Sequence, residues 1–124
     1  MIDTSVTAFV GDRERPLALT PPLILELERT TGAGIGALVR RVLPGDFHMK
    51  DTAEVVRLAL IGGGAEPAEA AALVETYVTA RPLHVGHELA TLILMALWSG
   101  KPAPAPQADP DAAAVLAALA GGAA

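Results

Sequence analysis

Hydrophobic and polar residues alternate over the first twenty positions, then switch to a helical rhythm for most of the remaining chain. Val6-Thr7-Ala8-Phe9-Val10 and Arg15-Pro16-Leu17-Ala18-Leu19 read as two short strands joined by the polar stretch Gly11-Asp12-Arg13-Glu14. A β-hairpin is expected. Pro16 has no N–H for a ladder, which places the second strand at an edge. Two strands alone are marginal in water, so the hairpin has to pack on helices.

Thr20 then stands as an N-cap with Pro21 at the first helical position, and a helix is expected from Pro21 to about Thr31, stopped by Gly32. Leu23, Ile24 and Leu27 share its apolar face, with Glu26 and Arg29 turned away. A short second helix carries Leu38, Val39, Val42 and Leu43 inward and Arg40-Arg41 outward, until Pro44-Gly45. The third starts at Asp51, where Asp51-Thr52-Ala53-Glu54 reads as a capping box. It buries Val55, Val56, Ala59 and Leu60, turns Glu54 and Arg57 to water, and breaks at Gly62-Gly63-Gly64. The fourth runs from Pro67 to about Ala80, closed by Pro82.

The fifth helix, Leu83 to Ser99, meets a strong stop at Gly100-Lys101-Pro102. Leu89, Leu92, Ile93, Ala96 and Leu97 make one stripe, and Leu94, Met95 and Trp98 widen it until the second half is apolar almost all round. A helix of this kind is either central in the core or shared with another chain. Leu92, Met95 and Trp98 are therefore candidate partner-binding residues, at a core or self-association boundary that makes a homo-oligomer one outcome. Beyond it, Pro102-Ala103-Pro104-Ala105-Pro106 reads as a linker, and Asp109 to Leu119 as a small helix with Val115, Leu116 and Leu119 in one narrow apolar stripe, a second candidate docking element. The expected fold class is mostly α with a small β part (α+β). An N-terminal β-hairpin packs on a bundle of about five helices over residues 1–101, and residues 102–124 form a flexible Pro/Ala-rich tail.

Composition sharpens this picture. The hydrophobic fraction is 52%, but 25 of the 124 residues are alanine, which favours helix and buries little surface. Net charge is -5 and the aromatics are only Phe9, Phe47, Tyr77 and Trp98, so neither a phosphate backbone nor stacked bases find a partner surface. No nucleic-acid partner is expected. The chain has no cysteine, which excludes disulfides and thiolate chemistry and fits a reducing compartment. Met1-Ile2-Asp3-Thr4 shows no basic, apolar leader, and the apolar run Leu89–Trp98 is half the length of a membrane helix. These features predict a soluble cytoplasmic protein, and the excess of arginine over lysine amid Ala, Gly and Pro points to a GC-rich bacterial genome.

Candidate chemistry is sparse. Gly32-Ala33-Gly34-Ile35-Gly36 follows a helical pattern rather than a strand and lacks the Gly-Lys-Ser/Thr of a phosphate loop, so it reads as a helix end and tight turn. His84 and His87 stand at i and i+3 beside Glu88, which departs from the His-Glu-x-x-His spacing of zinc hydrolases. A small metal-dependent hydrolase using His84 and His87 is the weakest of the functional readings. No serine lies in a nucleophile elbow, and Glu26 and Glu28 point to different sides of their helix. No metal, cofactor or catalytic residue is expected, and a binding role replaces an enzymatic one.

In their order along the chain, the hairpin Val6 to Leu19, the segment Leu23-Ile24-Leu25-Glu26-Leu27-Glu28 running into Gly32, the Ile35-x-x-Leu38 step, and Val55-Val56-Arg57-Leu58-Ala59-Leu60-Ile61-Gly62-Gly63-Gly64 are similar to the tail assembly chaperones of gene transfer agents and related tailed phages. The resemblance covers about residues 5 to 100. It implies a non-enzymatic accessory protein that holds the tape measure protein and helps tail tube protein polymerise around it. The implied partners are thus the tape measure protein and the tail tube protein. The alternative is a small structural virion component, such as a head-tail connector or tail completion protein.

Overall fold

Gly11 and Asp12 alone make the first turn, so the second strand starts earlier than the polar run suggests. β1 (Val6–Val10) and β2 (Arg13–Leu17) pair antiparallel, with Val6 opposite Leu17 and Val10 opposite Arg13. The structure, a computed structural model, describes residues 3–100. After the hairpin come α1 (Pro21–Thr31), α2 (Ile35–Val42), α3 (Met49–Gly62), α4 (Pro67–Val74) and α5 (Leu83–Ser99), with a π-helical turn, Glu75–Thr79, extending α4. The expected mostly-α fold of a hairpin on five helices is what the described residues form. The linker from Pro102 and the segment bearing Val115, Leu116 and Leu119 lie outside the described residues.

Helix boundaries follow local chemistry. Thr20 occupies the N-cap of α1, yet its side chain makes no capping bond, and Pro22 removes one of the two donors, at N2 and N3, that such a cap serves. Gly32 ends α1 in the left-handed conformation at φ 71°, its N–H donating to the Glu28 carbonyl. On the exposed side of α1, Arg29 donates to the Glu26 carboxylate and holds it below its ordinary range.

α3 starts two residues before the expected Asp51. His48 is its N-cap, and Asp51 sits at the third helical position, where its Oδ2 accepts from the His48 backbone N–H at 2.9 Å. The box is therefore shifted in register: aspartate is a favoured cap, but it serves equally as the acid that reaches back to one. Burial of that acid, 1% exposed, depends on Arg41, which donates to both carboxylate oxygens at 2.8 and 2.7 Å. Arg40 faces water as expected; Arg41 does not. It flanks the inward face marked by Leu38 and Val42, so its stem lies along the protein and its guanidinium turns onto α3.

α3 is the central element. Val55, Val56, Leu58, Ala59 and Leu60 are all buried, and the helix packs against α1, α2, α4, α5, the π turn and β2. Glu54 and Arg57, expected in water, are mostly covered and pair with each other, since few positions on such a helix reach solvent. The glycines at its end are more than a stop signal. A Cβ on Gly62 would lie 1.8 Å from the Ala18 carbonyl oxygen, and one on Gly63 would lie 1.8 Å from that of Pro16. The chain leaving β2 thus lies directly on the end of α3, and the Ala18 N–H donates to the Ala59 carbonyl at 3.0 Å. Arg15 secures the other side of the hairpin, donating to Glu69 at 2.8 Å and to the Val10 carbonyl at 3.2 Å.

Gly62→Ala or Gly63→Ala should cost about 2–4 kcal/mol and lower the melting temperature by roughly 10 °C or more, because backbone rather than a side-chain tip has to move. Gly36→Ala, whose new methyl would meet only the Arg40 side chain at 3.5 Å, should hold or raise stability by up to about 1 kcal/mol. In chemical denaturation, Arg41→Ala should cost about 3 kcal/mol by stranding the Asp51 carboxylate, while Arg40→Ala should stay within about 0.5 kcal/mol of the parent.

Candidate partner-binding surface

α5 begins after Pro82 and ends where Gly100 turns the chain. Its buried face is Gly86, Ala90, Ile93 and Leu94, with Leu89 and Leu97 packed at the margins of the core. This face is rotated from the expected stripe of Leu89, Leu92, Ile93, Ala96 and Leu97, and Leu92 falls outside it. The reason is size: Gly86 and Ala90 let α5 lie close to its neighbours, with a Cβ on Gly86 only 2.7 Å from Val78. Helical periodicity counted on large side chains misses a face built on small ones.

The opposite side of α5 is open. Leu92 is 41% exposed, Met95 52% and Trp98 72%, at i, i+3 and i+6 on one side of the helix. The structure therefore brings these three candidate residues together on one exposed face, outside the core of this chain. Along the same helix, Val85 and Leu89 join Phe9, Gly11, Tyr77 and Arg81 around a shallow cleft of about 230 Å³. Phe9, 67% exposed, was not a candidate from the sequence. Its signal was parity: Val6, Ala8 and Val10 point inward, so an aromatic at position 9 stands on the solvent side of the strand. The Arg81 guanidinium lies over the Tyr77 ring at 5.4 Å, which gives this end of the surface a cationic edge.

The histidines of α5 do different things. His84 is exposed, its Nδ1 3.4 Å from Glu88. The His87 Nε2 lies 2.6 Å from the Val42 carbonyl oxygen, and its ring stacks on Phe47 at 5.0 Å, bridging α5 to the end of α2. Among the described residues, no cluster of three or more His, Cys, Asp or Glu side chains is placed to hold a metal ion. The glycine-rich turn between α1 and α2 is a helix end and a tight connection. The Ile35 N–H at the start of α2 donates to the Glu28 carboxylate at 2.9 Å, so a phosphate there would meet a fixed negative charge. No helix among the described residues is long and apolar enough to cross a membrane.

Comparison with known proteins adds one family. A family model described as phage tail tube protein, GTA-gp10, matches residues 3–100, which takes in the hairpin and all five helices. No curated protein and no solved structure matches the chain. Because the match spans most of its length, the chain belongs to the phage tail tube protein, GTA-gp10, family and is a tail protein of the phage or gene transfer agent kind.

Proposed function

We propose that this chain is a non-enzymatic tail assembly chaperone, which binds the tape measure protein in the bacterial cytoplasm and assists polymerisation of the tail tube protein around it. The observation that carries this reading is the exposed apolar face of α5 at Leu92, Met95 and Trp98 among the described residues. A tape measure is a long helical chain whose apolar stripes need cover before the tube encloses them. One helix laid along another's apolar face is the physical means of covering them. The closed core, the small hairpin and the open face of α5 among the described residues suit a protein that holds a partner reversibly. A ring subunit, by contrast, needs two complementary faces, one for each neighbour.

A second reading is a component that remains in the particle, with which the tail tube description of the family agrees equally. Particle-resident variants include the head-tail connector and tail completion roles. Purified particles separate the readings. Quantitative mass spectrometry should find the tape measure and tube proteins at full stoichiometry and this chain depleted at least about tenfold, and stoichiometric retention would sink the chaperone reading. In lysates before assembly, it should co-purify with the tape measure protein. Met95→Glu with Trp98→Glu should weaken that association by about 30-fold or more while preserving the far-UV spectrum and melting temperature, since both side chains are exposed anchors outside the core.

A further inference from the structure

The cleft beside Phe9 combines an apolar hollow with a cation that lacks a counter-charge. Arg13, Arg15, Arg29, Arg41 and Arg57 each pair with a carboxylate. Among the described residues Arg81 makes no such pair, and its guanidinium is held 5.4 Å over the Tyr77 ring instead. That ring is itself fixed by the hairpin turn: at Gly11, whose φ is 80°, a Cβ would lie 2.8 Å from it. A guanidinium stacked on a fixed ring keeps its N–H edge for an anion and has little side-chain freedom left to lose when one binds. Beside it, Phe9, Val10, Val85 and Leu89 wall a volume of about 230 Å³. This is smaller than the roughly 300–1,000 Å³ of a small-molecule site, so it suits an anchor side chain of a larger partner.

The cleft is continuous with the open face of α5. Val85, Leu89, Leu92 and Ala96 follow one another at i, i+4, i+7 and i+11, the spacing of one helical stripe. Val85 and Leu89 line the cleft, and Leu92 belongs to the open face, so the two join along about 16 Å of helix. Apolar contact is non-directional, and a partner helix held by it alone can slide along such a stripe. A cation at one end removes that freedom, because complementary charge fixes register. The net charge of -5 adds contrast: an acidic segment is repelled by the chain as a whole and attracted at this point.

We infer that the cleft is the end anchor of the α5 surface, where a helical segment of a partner protein seats an apolar side chain between Phe9 and Leu89 and a neighbouring carboxylate on Arg81. The chemistry of the cleft rests on its own geometry. That the partner is the tape measure protein rests on the chaperone reading.

Phenylbutyrate, an apolar ring tethered to a carboxylate, and its neutral amide serve as probes of the cleft. Titrated into the isotope-labelled full chain, both should shift the backbone amide resonances of Phe9, Gly11, Tyr77 and Leu89, with the carboxylate binding about fivefold tighter at low salt. Arg81→Gln should bring the two affinities together, and Arg40→Gln should leave the preference intact. No shift at these amides, equal affinities in the parent, or a preference that survives Arg81→Gln would each overturn the inference. Shifts of the same amides on dilution without a probe would overturn it in favour of a second copy. Against the tape measure protein, Arg81→Glu should weaken binding about tenfold at low salt, a loss that shrinks as salt is added. An unchanged affinity there also overturns the inference. If the probe preference holds and the parent does not bind the tape measure protein, the chaperone reading alone is removed. Tape measure binding without the probe preference removes the cleft alone.

Discussion

Where the chain leaves β2, the Pro16 and Ala18 carbonyl oxygens stand where a Cβ on Gly63 or Gly62 would have to be. This backbone-on-backbone crossing sets the position of the hairpin relative to α3, and other placements follow from it. Because the hairpin lies across the end of α3, Leu17 and Leu19 enter the core beside Leu60, and Arg15 is brought to Glu69 at the start of α4. Covered there by the strand and elsewhere by α1, α2, α4 and α5, α3 takes the middle of the molecule. Once that place is filled, α5 has only one side to bury. Its surplus of large apolar residues therefore remains on the surface.

Polar groups inside this arrangement are matched rather than excluded. Asp51 carries a charge in a nearly dry position, which is tolerable because Arg41 donates twice and the His48 N–H once to its two oxygens. The pair joins the end of α2 to the start of α3, while His87 and Phe47 join α5 to the same corner. Replacing such a pair by apolar residues is often neutral, so its clearest contribution is to register: the carboxylate and guanidinium meet only when α2 and α3 stand in one relation. The corner fixes how α5 is rotated about its axis, and with it the side that Leu92, Met95 and Trp98 present.

Much of the fold was legible from residue type and spacing. Pro21, Gly32, Pro67, Pro82 and Gly100 punctuate the helices where the sequence predicts, because each has a backbone reason to stand at a helix end. The short connections were harder. Glu14 was read as turn and belongs to β2, and Asp51 was read as a cap and belongs to the first turn of α3, since single-residue register in such places is decided by long-range pairing that no local pattern carries. Charges beside an inward face, Arg41 and Glu54 among them, were read as solvated because their burial depends on a partner or a neighbouring helix. At the candidate surface, Leu92, Met95 and Trp98 were legible as surplus apolar positions. Which helix would be central was not: α5 reads as the helix that is apolar almost all round, whereas the middle place goes to α3, whose terminal glycines admit the hairpin.

An exposed apolar face of moderate size constrains how a protein can use it. Permanent subunits bury far more surface than three side chains offer, and a face this small binds weakly unless a few aromatic or sulfur-bearing anchors are well seated. Trp98 and Met95 are residues of that type. A contact of this size is readily broken, because differences in affinity between related interfaces lie mostly in the rate of dissociation. The same face is a hazard while it is uncovered, because an exposed apolar helix surface attracts unrelated exposed segments.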